Sequence, residues 1–482
     1  MIAEEPLLFE LARGKAGDYA GVIKGLDSAA SGLPADALRS GPPPIPEISE
    51  LDAVRHFTRL SRRNAGVDTQ FYPLGSCTMK YNPRINEDLA ASPAVTGVHP
   101  LWGPEMIQGA LAVLWETARR LSEISGFPGV SLQPAAGAQS ELGSLMMIRR
   151  YHQDRGRDPR TVVVPDTSHG TNPASAALCG LKVSQVPSGP DGLLDLEGLR
   201  RVLSSDTAAL MVTNPNTLGM FETGMAKAAR IAHDAGALVY LDGANMNAQV
   251  GVMRPVESGA DIMHFNLHKT FSTPHGSGGP GAGAIACIRE LEPYLPKPIV
   301  ERTGTGDGSA YRLQYDRPKS VGRLGAFHGN FAVVVRALAY LLRTGSDGLA
   351  DVARHAVLNA NYVRVLLAGT LPPAYPGPSM HEVVLNGKVL KERGTSALDL
   401  AKRLLDHGFH APTIYFPHIV PEAVMIEPTE TESPATLDAF VSAVKAIMDE
   451  DPAVLGTAPH ETPVGRLDEV KAAREPVLRW PA

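Results

Sequence analysis

The 482-residue sequence predicts an α/β fold: a large, mostly parallel sheet domain followed by a small α+β domain. Two observations carry this. Between about 130 and 290, short apolar runs of strand type alternate with helical stretches, the pattern of a sheet covered on both faces. After about 330 the pattern changes to helices around two short apolar runs, which reads as a separate packing unit. Length as a prior suggests about three domain-sized units. The expected division is an N-terminal arm and helical segment over 1–100, the large domain over 101–330, the small domain over 331–450 and a tail over 451–482.

Each element has a local reason. Residues 1–50 mix helix with a Pro-rich connector ending in GPPPIPEIS, an arm rather than a core. Residues 51–64 form an amphipathic helix, and QFYPLGSCTMKYNPR is turn-rich and irregular. Met106, Ala110, Val113, Leu114 and Leu121 recur at helical spacing, predicting a helix over 105–125. TVVVP (161–165) is a buried-type strand. In TNPASAALCG, Asn172 is placed to cap a helix, with Pro173 at its first position and Gly180 as its stop. Strands follow at 181–186, 208–213, 237–242, 261–266 and 282–288, with a helix over 223–235 that stops at Gly236. The second unit has a helix at about 330–343, strands at 381–386 and 423–428, and helices at 396–408 and 433–449.

Composition excludes several classes of function. Hydrophobic residues make up 44% and charged residues 20%, which is globular and not disordered. Lys and Arg number 45 against 51 Asp and Glu, a net charge of −6, which argues against a general nucleic-acid binder. The 47 glycines and 40 prolines follow no collagen period and point to tight turns. Three cysteines (Cys77, Cys179, Cys287) with no C-x-x-C favour a reduced, cytoplasmic setting. The acidic N-terminus lacks an apolar run, so no signal peptide is expected, and no run is long enough for a membrane span.

Ligands of open α/β sheets gather at the carboxyl ends of the strands, so the residues that follow each strand matter most. Asp242 ends one strand and Lys269 follows the next, 27 positions later (269 − 242). That pairing is the pattern of a pyridoxal phosphate (PLP) enzyme: lysine for the Schiff base, carboxylate for the pyridinium N–H. Alone, Asp242 reads equally as a helix cap and Lys269 as a surface lysine. The cofactor's phosphate needs a cradle. In PAAGAQSELGSLMMIRRYH (134–152), Ala136, Gly137 and Ala138 allow close backbone approach, while Gln139 and Ser140 open a helix whose free N–H groups suit an anion. The alternative is only a tight turn.

His169, just past a strand end, is placed to stack on a pyridine ring and shuttle protons, or merely to satisfy its loop. Asn216 in TNPNTLG offers a donor to the cofactor's phenolic oxygen, or only turn chemistry. GSGGPGAG (276–283) lacks the Lys-Ser/Thr ending of a P-loop and reads as close backbone packing beside Lys269. His264 and His268 tempt a metal reading, but they lie on a strand and its end with no third ligand near, so no metal is expected. Cys77 is either a nucleophile or part of the site's entrance. Arg323 and Lys80 are candidates for a substrate carboxylate by charge alone.

The strings FYPLGSCTMKYNP, PAAGAQSELG, PDTSHGTNPASA, TNPNTLGMFE, LVYLDGANMNAQVG and HFNLHKTFSTPHGSGGPGAG resemble the P-proteins of the glycine cleavage system, the glycine decarboxylases. HAPTIYFP and MIEPTETES extend the likeness into the small domain, so it covers about 55–450. The eukaryotic-type P-protein is about twice as long and made of two homologous halves. This chain is similar to the second, lysine-bearing half, as in subunit 2 of the bacterial split form.

The resemblance implies a fold-type-I, aspartate-aminotransferase-like architecture. It implies glycine as substrate, a homologous subunit 1 lacking the lysine, lipoylated H-protein as acceptor of the aminomethyl group, and an α2β2 heterotetramer. Carried over by motif, Lys269 is the Schiff-base lysine and Asp242 the pyridinium partner. His169 and Ala244 lie on the two ring faces, Ala138 and Gln139 meet the phosphate, and Asn216 is a further cofactor contact. His169 and Lys269 are the expected catalytic residues. A cysteine-desulfurase- or aminotransferase-like enzyme shares the Asp…Lys pair. A non-catalytic paralogue and a pure scaffold complete the alternatives.

Overall fold

The structure, a computed structural model, describes residues 5–12, 33–37, 40, 45–46, 48–276 and 278–478. Seven strands build the large sheet: β1 (Gly129–Ser131), β2 (Thr161–Pro165), β3 (Lys182–Val186), β4 (Thr207–Thr213), β5 (Leu238–Asp242), β6 (Ile262–Asn266) and β7 (Gly283–Cys287). Their order is β1-β7-β6-β5-β4-β2-β3. Strands β2 to β6 are mutually parallel, whereas β7 pairs antiparallel with both β6 and β1.

Period-two alternation explains why the inner strands are apolar on both faces, whereas the edge strand β3 (KVSQV) is largely exposed. Val239 and Leu241 of β5 enter one core, and Leu238 and Tyr240 enter the other. The first core is closed by the helix Gln108–Ser125 and the start of the helix Phe331–Leu367, the second by the helix Gly137–Gln153. With both faces covered, neither parity of position can be polar.

The helix Phe331–Leu367 runs well past the predicted 343, with a non-helical Gly345 inside it. Val333 and Leu341 pack in the large core and Val363 and Leu367 in the small one, so this one helix serves both cores. The small unit holds β10 (Val383–Leu385), β11 (Thr413–Ile414) and β12 (Val424–Ile426), ordered β10-β12-β11 and antiparallel. Phe71 belongs to its core and Leu74 bridges to Ile426, so the 71–80 segment packs on the small unit. Leu455 is buried there too, which ties the start of the C-terminal tail down.

Other details differ from expectation. A hairpin of β8 (Ile299–Thr303) and β9 (Ala310–Gln314) and the short β1 carried too little periodic signal to be predicted. The helix Thr171–Leu178 starts before Asn172, with Gly170 at its cap, so Asn172 is an internal, fully buried residue and Pro173 sits in the first turn. Residues 13–32 and much of 38–47, inside the predicted arm, lie outside the described residues. Among the described residues, no helix is long and apolar enough to cross a membrane.

Candidate active site

The parallel strands β2, β4, β5 and β6 present their carboxyl ends to one edge, and a cavity of about 320 Å³ opens there. In register, Thr213 pairs with Asp242 and Asp242 with His264, so three polar side chains meet where the apolar core stops. Asp242, Ala244, Lys269, His169, Ala138 and Asn216 all line the cavity. Of the residues predicted from sequence, Gln139 does not.

Asp242 is 5% exposed, which demands partners for its carboxylate. Its Oδ1 accepts the Ala244 N–H at 3.1 Å, and His264 Nε2 lies 3.7 Å away. Burial pushes His264 below the ordinary histidine range, so it is neutral and one ring nitrogen must accept. Its Nδ1 is hydrogen-bonded to the buried Tyr240 hydroxyl, while Nε2 has no hydrogen-bond partner. With Tyr240 donating, Nε2 carries the hydrogen and points it toward Asp242. His264 thus belongs to a Tyr240–His264–Asp242 row. His268 is engaged separately, Nδ1 lying 3.2 Å from both Ala282 O and Ala282 N.

The helix Gly137–Gln153 has no side-chain cap. Its first internal hydrogen bond is Ser140 N to Ala136 O at 3.1 Å, so the N–H groups of Gly137, Ala138 and Gln139 precede the helical ladder. Gly137 and Ala138 line the cavity, and the helix dipole favours an anion there. Gly137 is required: a Cβ on it would lie 2.1 Å from Asn266 Oδ1. The Gln139 side chain clamps loops instead, accepting from Ala135 N and donating to Leu324 O, both at 2.6 Å. Two glycines of the GSGGPGAG run have a similar steric reason: a Cβ on Gly283 would lie 2.1 Å from Ser140 Oγ, and one on Gly281 2.8 Å from the His268 ring.

His169 Nδ1 lies 3.0 Å from Thr171 Oγ1, which lies 2.7 Å from Glu141 Oε1. Glu141 is buried one helical turn after Gly137, and burial together with the Asp242 charge pushes its carboxyl up to about 8. Near neutral pH it is an acid with a proton to give, one hydroxyl away from His169. Asn216 is fully engaged: it donates to Gly192 O and Glu222 Oε1 and accepts from Leu218 N and Met220 N. That leaves no amide hydrogen for a cofactor oxygen, and its turn chemistry accounts for it.

Cys77 lines the cavity between Ser76 and Thr78, both at positive φ (63° and 51°). Burial pushes its thiol above the ordinary range, which opposes a thiolate nucleophile and suits a wall residue. Lys80 is buried away from the cavity, 2.7 Å from Glu430 and 3.2 Å from the Tyr340 hydroxyl. Arg323 lies over the Tyr315 ring at 5.4 Å and does not line the cavity either. Sequence reasoning missed Thr213, Asn266, Glu141, His381 and Glu382. The first two are the last residues of β4 and β6, where the strand-end rule points directly.

The sequence is 51% identical to the probable glycine dehydrogenase (decarboxylating) subunit 2 of Halalkalibacterium halodurans, over 100% of this chain and 99% of that protein. The chain belongs to this family. The Pyrococcus furiosus member is 50% identical over 99% of this chain and 96% of its own length. Residues 352–463 match the family described as glycine dehydrogenase, C-terminal domain, and residues 143–295 match aminotransferase class-V. A crystal structure of glycine decarboxylase (P-protein) in inhibitor-bound form superposes with a TM-score of 0.71 at 22% identity, covering 93% of this chain and 99% of that one. A cysteine desulfurase from Thermococcus onnurineus superposes with a TM-score of 0.60 at 17% identity, covering 79% and 97%. At those identities the shared property is the fold, that of fold-type-I PLP enzymes.

The cofactor of this glycine dehydrogenase family member is pyridoxal phosphate, and the residues present fit it. Buried polar atoms without a partner converge on the cavity: Glu141 Oε2, Thr213 Oγ1, His264 Nε2 and Asn266 Oδ1. An apolar ligand would leave them unsatisfied, whereas a small polar one with both hydrogen-bond donors and acceptors answers them.

Proposed function

We propose that this chain is the lysine-bearing subunit of a glycine decarboxylase. It removes the carboxylate of glycine as carbon dioxide and passes the aminomethyl group to the lipoyl disulfide of an H-protein. It works with a homologous subunit 1, in an α2β2 assembly. The observation that carries this reading is full-length kinship to the subunit 2 family together with Asp242 and Lys269 on one cavity.

The chain's own residues divide the work. Lys269 would hold the cofactor covalently, and Asp242, fixed by Ala244 N and the Tyr240–His264 row, would face the ring nitrogen. The N–H groups of Gly137 and Ala138 would receive the phosphate. His169 and Ala244 would bracket the ring. Bound there, pyridoxal phosphate supplies the sink for the electron pair left when carbon dioxide departs. Glu141 holds a proton that Thr171 connects to His169, giving the site a proton source beside the reacting carbon.

The test is exchange of labelled carbon dioxide into glycine by the chain combined with its partner subunit and lipoylated H-protein. The reading predicts exchange by the wild-type assembly and its loss in Lys269→Ala. An inactive wild-type assembly contradicts it.

A further inference from the structure

A substrate carboxylate normally meets an arginine, yet among the described residues lining this cavity there is none, and Lys269 is its one lysine. The histidines there are mostly engaged: His264 with Tyr240, His268 with Ala282, His169 with Thr171. His381 is not. It is 2% exposed, lines the cavity, and its Nδ1 has no hydrogen-bond partner. Beside it, Glu382 is 3% exposed and also lines the cavity.

These two residues are fixed over the sheet's edge by contacts with the large domain. Met380 N donates to Gly219 O at 2.6 Å, in the loop that follows β4. A Cβ on Gly219, at φ +76°, would lie 2.1 Å from Glu382 O, so the two backbones touch. Glu382 Oε2 accepts the Ser76 N–H at 2.8 Å, and its Oε1 lies 3.9 Å from His381 Nε2. Cys77, His381 and Glu382 share the cavity wall with Lys269.

Burial bears on the charge of both side chains. Neighbouring Glu427, fully buried, accepts Thr78 N, Thr78 Oγ1 and Asn245 Nδ2, so it is served by three donors. Burial, and then Glu427, push Glu382 up to about 8, and burial pushes His381 down. Both therefore stand neutral near pH 7, and each has a hydrogen to donate.

Resting on the reading that glycine is the substrate, we propose that His381 and Glu382 form the subsite for its α-carboxylate and hold it by neutral hydrogen bonds instead of an ion pair. The chemistry favours this. When the bond to the carboxylate breaks, its electron pair stays with the α-carbon and the group leaves as neutral carbon dioxide. A fixed positive charge would stabilise the carboxylate more than the departing gas and so raise the barrier. Neutral donors orient the group and lose less as its charge disappears.

The experiment is an absorbance titration of the PLP-loaded assembly with its partner subunit, without lipoyl acceptor, using glycine and, separately, methylamine. Methylamine shares the amine and lacks the carboxylate. His381→Ala and Glu382→Ala should each weaken glycine by about tenfold or more, the loss of one hydrogen bond to a charged group. Methylamine should change by less than about threefold in the same proteins. Glycine binding unchanged in both variants, or both ligands weakened in parallel, overturns the subsite. Wild-type protein that binds neither ligand overturns the functional reading itself, a result distinct from either.

Discussion

The contact that holds the 73–80 loop against the small domain offers a quantitative prediction. Glu427 Oε2 accepts the Thr78 N–H at 3.1 Å, and its Oε1 accepts Thr78 Oγ1 at 2.7 Å and Asn245 Nδ2 at 2.9 Å. Glu427→Gln keeps the shape but supplies one acceptor oxygen and an NH₂. With the oxygen facing Thr78 Oγ1 and Asn245, the NH₂ faces the Thr78 N–H, donor against donor. A buried amide left unpaired costs about 1–3 kcal/mol, and two hydrogen bonds fall from charged to neutral strength, about 1 kcal/mol each. Relief of Glu382, which Glu427 pushes up, offsets part of this. The net loss is about 2–4 kcal/mol, so opening of the loop should become roughly 30- to 700-fold more frequent. Hydrogen–deuterium exchange of the peptide covering 73–80 measures it. Protection within about threefold of wild type would mean that the loop owes its order to something other than Glu427.

Glu382 also makes a pH prediction. Its carboxyl lies at about 8 in the folded chain against an ordinary 4.5, so the folded state binds a proton that the unfolded state releases between those values. The stability it contributes is full below about pH 4.5 and is lost as the pH rises toward 8. Glu382→Gln should flatten the fall of the unfolding midpoint between pH 5 and 8; an unchanged slope contradicts the assignment. At the phosphate cradle, Gly137→Ala places a Cβ 2.1 Å from Asn266 Oδ1. Overpacking of about 1–3 kcal/mol should weaken PLP by roughly 5- to 150-fold in an absorbance titration, and an unchanged affinity would remove Gly137 from the cradle.

Much of the large domain was legible because its strands are continuous apolar runs. TVVVP, ALVYLD and DIMHFN announce themselves by β-branched and aromatic content and by the helices between them. The strand-end rule then located Asp242 and Lys269 without any knowledge of the fold. The same rule covered Thr213 and Asn266, whose small polar side chains carried no chemical signal of their own. Glu141 stood in the motif PAAGAQSELG, yet only its burial beside Asp242 marks it as an acid. His381 and Glu382 were out of reach for a different reason. They come from the small domain, more than a hundred residues from Lys269, and the backbone contact of Gly219 with Glu382 brings them over the site. Asn216 shows the converse: a residue with the right donors in the right loop, whose hydrogen bonds are all taken locally.

The cavity at the ends of β4, β5 and β6 is where Lys269 would hold pyridoxal phosphate. Borohydride reduction of the PLP-loaded assembly, followed by peptide mapping by mass spectrometry, tests it most directly. A single phosphopyridoxyl adduct is expected in this chain, on Lys269 in the peptide containing NLHKTF. An adduct on another lysine such as Lys80, or none in this chain, would contradict it.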